Sequence, residues 1–76
     1  MFIPQYTIPY ALDVSEHIRI DLLDVSGRII RNLVNRGHMP GEYNVLINDS
    51  FLSTGVYFIR IQAGSQIEVQ KIIMMK

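Results

Sequence analysis

Apolar and polar side chains alternate with a period of two along most of the chain. In the clearest example, Ile18, Ile20 and Leu22 are separated by polar residues. Successive side chains of a β-strand point to opposite faces, so this alternation predicts a strand with one buried face. The same spacing recurs in three further segments, whose expected inward positions are Tyr43, Val45, Ile47, Tyr57, Ile59, Ile61, Ile67 and Val69.

The segment that contains Tyr57 also carries apolar residues at the intervening positions, where Val56 and Phe58 stand. A strand that is apolar on both faces is typical of the interior of a covered sheet. We therefore expect this strand to be central and covered on both sides.

The final segment is the most hydrophobic part of the chain. After Lys71 the sequence is continuously apolar from Ile72 to Met75, and it ends at Lys76. We expect this segment to complete a core, with one of its two methionines packed inside. An exposed methionine would instead offer an adaptable interaction surface, and lysines at both ends of a strand discourage pairing at its edge.

Turn-forming residues separate these segments, most clearly at Ser26-Gly27, Pro40-Gly41 and Gly64-Ser65. The one rival to a strand is the segment 29–34, whose apolar spacing also fits one face of a helix, but its β-branched residues and short flanking turns favour a strand. The predicted strands are residues 5–12, 16–24, 28–36, 41–48, 55–63 and 66–75. Short strands with frequent turns predict a single all-β domain over residues 1–76, a small antiparallel immunoglobulin-like β-sandwich of six to seven strands.

Composition narrows the possible functions. The chain is 49% hydrophobic and 18% charged, with a net charge of zero and no cysteine. Disorder is therefore disfavoured, and there is no electrostatic footprint for nucleic acid or for an anionic membrane. No apolar run approaches the length that would insert into a bilayer. The apolar excess indicates a surface for a protein partner or a neighbouring domain.

The sequence offers little for catalysis or metal binding. His17 and His38 lack a second histidine or a cysteine at ligand spacing, so no zinc site is predicted; we expect His17 to face solvent on a strand and His38 to lie in a loop. A triad of Ser26, His38 and Asp49 can be drawn, but almost any sequence permits one, and a sandwich this small has little room for a pocket. Calcium ligation by Asp24, Asn48 and Asp49 is the weaker alternative to turn capping. We expect no enzymatic activity, no cofactor and no small-molecule substrate.

Phrases in a fixed order carry a family resemblance. They are YTIPYAL at 6–12, IRIDLLDVSGR at 18–28, PGEYNV at 40–45, LSTGVYFIRI at 52–61 and KIIMMK at 71–76. Together they resemble the C-terminal sorting domain of the type IX (Por) secretion system, and its relative, the immunoglobulin-like domain of flagellar hook-capping proteins. The chain departs from the pattern at its start, where Phe2-Ile3-Pro4 stands in place of the family's Asn-Pro-rich phrase.

The resemblance implies a non-catalytic module at the C-terminus of a larger exported protein. An outer-membrane translocon would read it in the periplasm and pass the protein to the cell surface or the medium. The residues implied in recognition are Lys71, Ile72, Ile73, Met74, Met75 and Lys76. The alternative is a retained structural β-sandwich, contacting a neighbouring domain or subunit in an envelope or appendage assembly.

The family phrases also have local physical explanations, which identify Asp24, Gly27, Gly41, Gly55 and Tyr57 as fold-defining positions. Asp24 can accept hydrogen bonds from the turn that follows it, with Gly27 in the left-handed conformation. Gly55 suits a bend or a positive φ before its strand. The hydroxyl group of Tyr57 can bond back to a loop, as in the tyrosine corner of immunoglobulin folds.

Overall fold

The computed structural model describes residues 6–47 and 52–75, and all regular structure in these ranges is β-strand. The strands are β1 (Tyr6–Leu12), β2 (Glu16–Leu23), β3 (Ile29–His38), β4 (Gly41–Ile47), β5 (Gly55–Ala63) and β6 (Gln66–Met74). Each lies within two residues of its predicted bounds. No helix in the described ranges could cross a membrane.

The strands form two antiparallel sheets. One has four strands in the order β3-β2-β5-β6, and the other pairs β1 with β4. The sheets pack as a sandwich, which confirms the predicted immunoglobulin-like all-β class. β5 lies between β2 and β6, as predicted for a central strand. Its cover is one-sided, however, because Val56 and Phe58 on the opposite face are only half-buried.

The core lies between the sheets and is made by the alternating residues of the central strands. Ile18, Ile20, Leu22 and Ile59 have no exposed surface. The two-stranded sheet covers them with Ile8, Val45 and Ile47. Full burial of such a side chain contributes roughly 1.5–3 kcal/mol, so the burial of this alternating set stabilises the packing of the two sheets.

Two register shifts explain the irregular pattern of β3. The pairing with β2 skips Leu33 and Ile30, so that two β3 residues oppose one β2 residue at each place. A bulge of this kind moves later side chains out of phase. The spacing that resembled a helical face is therefore a strand interrupted by irregularities.

The predicted inward positions in the first half of β6 are wrong. Ile67 is 61% exposed and Val69 is 54% exposed. The register places Glu68 opposite Ile61 and Gln70 opposite Ile59, whose side chains face the core. The phase of β6 is set by its second half, where the inward residues are strongly apolar, and the first half must follow it.

Candidate recognition surface

The terminal strand β6 divides the predicted recognition segment between the core and the surface. Ile72 and Met74 are 5% and 1% exposed, whereas Lys71, Ile73 and Met75 are exposed. The expectation that one of the two methionines fills the core is confirmed for Met74. Lys76 lies outside the described residues. The segment therefore exposes Lys71, Ile73 and Met75 at the surface of the domain.

Apolar side chains surround Lys71 on the side of the four-stranded sheet that points away from the core. Phe58 lies directly opposite Lys71, and Val56 lies opposite Ile73. On the other side of Phe58 stands Leu23, which is buried but does not belong to the core cluster. We call this surface the outer face; its apolar residues are Leu23, Ile29, Val56, Phe58, Ile67, Val69 and Ile73. A contiguous apolar surface on a small domain marks an interaction site more often than a solvated face.

A fully buried carboxylate anchors the opposite half of the outer face. Asp21 Oδ2 accepts hydrogen bonds from Arg60 Nη2 at 2.9 Å and from Arg19 Nε at 3.0 Å. Its Oδ1 accepts one from Asn32 Nδ2 at 2.9 Å. Burial, the largest single influence, raises the pKa of Asp21, but the bonds from Asn32 and Arg60 and the charge of Arg19 together lower it below its ordinary value. The carboxylate is thus held in its charged form.

The turn between β2 and β3 has the predicted arrangement. Asp24 Oδ1 accepts hydrogen bonds from the Ser26 hydroxyl group at 2.6 Å, the Ser26 amide at 2.9 Å and the Arg28 amide at 3.0 Å. Gly27 has a φ of +87°. The hydroxyl bond from Ser26, followed by the amide bond from Arg28, lowers the pKa of Asp24. The carboxylate caps a turn, and the described residues contain no group of metal-binding side chains; Asn48 and Asp49 lie outside the described ranges.

The loop that leads into β5 is tied down by a tyrosine. Tyr57 is 8% exposed, and its hydroxyl group donates to the backbone carbonyl of Ser53 at 2.7 Å. This is the predicted hydrogen bond of a tyrosine corner. Gly55 itself has no positive φ, since among the described glycines only Gly27, Gly41 and Gly64 do. The expectation of a positive φ at Gly55 is therefore wrong. The bend before β5 lies at Thr54, the residue that precedes Gly55.

The prediction that His38 lies in a loop is wrong. It is the last residue of β3, 6% exposed, with Nε2 2.9 Å from the Tyr10 hydroxyl oxygen and Nδ1 3.1 Å from the Arg36 carbonyl oxygen. Because a carbonyl only accepts, Nδ1 carries a proton; in the neutral imidazole, Nε2 then accepts the hydrogen bond from the Tyr10 hydroxyl group. Tyr43 stacks on Tyr10 and meets His38 edge-on, so the cluster joins β1, β3 and β4. Burial of the Tyr10 hydroxyl group raises the pKa of Tyr10, although the positive charge of Arg36 acts in the opposite direction.

The prediction that His17 faces solvent on a strand is confirmed. His17 is exposed on β2, and its side chain forms a hydrogen bond with that of Asn35.

An open groove of about 920 Å³ separates β1 from β6. The expectation that the domain leaves little room for a pocket is therefore wrong. The groove contains neither residue of the drawn triad that the structure describes: Ser26 caps the turn with Asp24, and His38 belongs to the tyrosine cluster. The third member, Asp49, lies outside the described residues.

Comparison with known proteins decides the family. The profile of the secretion system C-terminal sorting domain matches residues 5–75, nearly the whole chain. The chain belongs to this family. No curated protein and no solved structure gives a significant match. Membership confirms the resemblance carried by the phrases and makes the domain a type IX secretion signal, which implies export toward the cell surface or the extracellular space and interaction with proteins of the secretion machinery.

Neither the polar cluster around Asp21 nor the aromatic cluster around His38 was predicted from the sequence. The carboxylate of Asp21 and the guanidinium of Arg60 look like ordinary solvent-facing positions in two separate strands. The only signal in the sequence was that two oppositely charged residues stand at the intervening positions of predicted strands whose alternate residues are apolar. For His38 the signal was weaker, since only the aromatic residues Tyr10 and Tyr43 on other predicted strands pointed to a buried partner.

Proposed function

We propose that this domain is a non-catalytic C-terminal sorting module that directs a larger exported protein through the type IX secretion system to the cell surface. The observation that carries the proposal is the family match over residues 5–75. In transit the domain would meet the outer-membrane translocon in the periplasm. No cofactor and no small-molecule substrate is needed for such a role.

The geometry of β6 supports recognition of the folded domain through the outward-facing side chains of its last strand. Ile72 and Met74 anchor the strand in the core, and the residues between and after them face outward. A translocon protein can therefore read Lys71, Ile73 and Met75 on a folded surface. The apolar outer face around Lys71 extends that surface across β5 toward β2.

The test is a fusion of residues 1–76 to the C-terminus of a reporter that carries its own inner-membrane export signal. The fusion is produced in a bacterium with a working type IX system and in a matched strain without the translocon. We expect the reporter on the surface or in the medium of the first strain only. Reporter held in the periplasm of both strains would contradict the proposal.

A pair of matched variants separates recognition from folding. Ile73→Asp places a charge on the outer face, and Val25→Asp places one in the distant turn between β2 and β3. Both side chains are exposed, at 49% and 71% respectively, so both variants should fold. We expect Ile73→Asp to abolish export and Val25→Asp to leave it unchanged. Equal export of the two variants would show that the outer face is not read.

The second candidate is a retained structural domain that makes protein contacts in an envelope or appendage assembly. The exposed apolar outer face favours it, because such a surface fits a permanent neighbour as well as a transient receptor. Intact mass of the fusion from envelope and medium fractions distinguishes the two. Loss of the domain from the exported reporter indicates a cleaved signal, whereas an intact domain in a stable envelope complex indicates a structural role.

A further inference from the structure

The groove between β1 and β6 is bordered by two strand edges. β1 pairs only with β4 and β6 only with β5, so within the described ranges each strand has one side without a strand partner. Strand edges of this kind expose backbone N–H and C=O groups that can pair with another chain. We name the space between them the edge groove, which is bordered by residues 9–14 and 65–68.

The lining of the edge groove follows the open edges of both strands. Consecutive residues of each strand contribute to it, at 9–12 of β1 and 66–68 of β6, together with residues 13–14 and 65 of the adjoining turns. Side chains on one face of a strand alone would contribute only every second residue. The groove therefore runs along the open edges and offers hydrogen-bonding backbone to a strand laid into it.

The floor and the walls of the edge groove differ in chemistry. Ile18, Ile61 and Ala63 lie at its floor, but Ile18 has no exposed surface and Ile61 is only 8% exposed, so the accessible charged groups on this inward side are those of Glu16 and Glu68. The charged residues at its walls are Asp13, Glu16 and Glu68, and the described lining contains no lysine or arginine. A guest with lysine or arginine beside its apolar residues complements this charge pattern.

We propose that the edge groove binds an extended segment of a partner protein as an additional β-strand, and that this segment alternates apolar with basic residues. Side chains of an added strand point alternately to the two faces of a sheet. The basic ones would point to the inward face, where Glu68 lies opposite Ile61 and Glu16 lies two residues before Ile18 in β2, and the apolar ones would point to the outward face beside Ile67 and Val69. Main-chain hydrogen bonds to an open edge provide affinity in this mode of recognition, and side chains provide specificity. The inference concerns binding by the domain itself and stands whether or not the domain acts as a secretion signal.

The test measures binding of synthetic hexapeptides to the 76-residue chain by calorimetry. The probe is acetyl-Arg-Val-Lys-Val-Arg-Val-amide. One comparison peptide replaces the basic residues with Glu and Asp, and a second keeps the basic sequence but carries N-methyl groups that remove its edge donors. We expect the basic peptide to bind at least about tenfold more tightly than either comparison peptide, since only it has both the charge and the hydrogen-bond donors.

Charge-reversed variants locate the site. Asp13→Lys combined with Glu68→Lys changes two exposed groove residues, and Glu42→Lys makes the same kind of change on exposed β4 outside the groove. We expect the double variant to weaken binding of the basic peptide about tenfold or more and Glu42→Lys to have little effect. Circular dichroism checks that both variants fold.

Four results would overturn the proposal. They are equal binding of the basic and acidic peptides, equal binding of the N-methylated peptide, no binding of the basic peptide at about 1 mM, and self-association of the chain that Glu68→Lys abolishes. The last result would make a second copy, rather than a partner segment, the occupant of the groove.

Discussion

Arg60 Nη2 lies 2.9 Å from Asp21 Oδ2 and joins the two central strands of the four-stranded sheet through a carboxylate with no exposed surface. Arg60 is itself 32% exposed at its side chain. The pair stands on the outer side of the sheet, opposite the core. It shows that this side is structured by specific contacts as well as by the apolar residues around Lys71.

Replacing Arg60 with methionine should destabilise the domain by about 1–2 kcal/mol at neutral pH, because Asp21 stays buried and loses one of its donors. The cost stays moderate since Arg19 and Asn32 still donate to the carboxylate. Chemical denaturation measures the change in the free energy of unfolding. Arg28→Met, at an exposed arginine in the β2–β3 turn, is the matched control and should change stability by less than about 0.5 kcal/mol. Equal losses in the two variants would contradict a specific role for Arg60.

The free energy of unfolding should fall in acid because Asp21 becomes protonated. The pKa of Asp21 is lower in the folded state than its ordinary value, so its contribution is fully present above about pH 4 and is lost as the pH falls through the folded pKa. We expect the free energy of unfolding of Asp21→Asn to vary less between pH 4 and pH 2 than that of the parent chain. Asp24, whose pKa is also lowered, supplies a remaining slope. Identical acid profiles of parent and variant would rule out the contribution of Asp21.

The strand pattern could be predicted from the sequence because each strand of the core carries its own evidence. Ile18, Ile20 and Leu22 alternate strictly, and the turns that contain Gly27 and Gly64 mark where β2 and β5 end. The turn at Asp24 and the hydroxyl bond of Tyr57 could also be anticipated, since each involves residues close together in sequence. Local rules are sufficient wherever the interaction is local.

Features that depend on register could not be predicted in this way. The inward phase of β6 is decided by which residues of β5 oppose it, so Ile67 and Val69 were assigned to the wrong face. The burial of Asp21 requires Arg60, which is distant in sequence, and the burial of His38 requires Tyr10. The edge groove depends on which strands lack neighbours, and that is a property of topology rather than of any one segment.

Two tyrosines allow the tyrosine corner to be tested internally. Tyr57 donates to the carbonyl of Ser53, and Tyr43 donates to the carbonyl of Met39, each four residues upstream. The first bond is partly buried, whereas the second is exposed. Tyr57→Phe should therefore cost about 1 kcal/mol of unfolding free energy and Tyr43→Phe about 0.5 kcal/mol or less, because water can replace an exposed partner. A larger loss in Tyr43→Phe would contradict the corner as the stabilising element.

Substitutions at Gly64 and Gly55 distinguish a glycine that its backbone conformation requires from one that only matches the family phrase. Gly64 has a φ of +60° at the first position of the two-residue β5–β6 loop, and a Cβ added there would lie 2.8 Å from Glu16 Oε1. Gly64→Ala should cost about 1–2 kcal/mol. Gly55→Ala should be neutral or stabilise by up to about 1 kcal/mol, because its φ is not positive and no atom lies within 4 Å of the added carbon. Thermal unfolding of both variants decides whether Gly55 is fold-defining, and a marked loss in Gly55→Ala would restore that role.

The two adjacent methionines near the end of the chain test whether folding and recognition are separate properties of β6. Met74 is 1% exposed, and Met75 is 68% exposed. Met74→Ala should lower the free energy of unfolding by about 2–3 kcal/mol, because it leaves a cavity in the core. Met75→Ala should change the free energy of unfolding by less than about 0.5 kcal/mol.

In the reporter fusion, we expect Met75→Ala to reduce export while the domain stays folded. Met74→Ala should reduce export only to the extent that it reduces folding. Full export of Met75→Ala would remove that side chain from the recognised surface, and full export of an unfolded Met74→Ala would show that the machinery reads the chain rather than the folded domain.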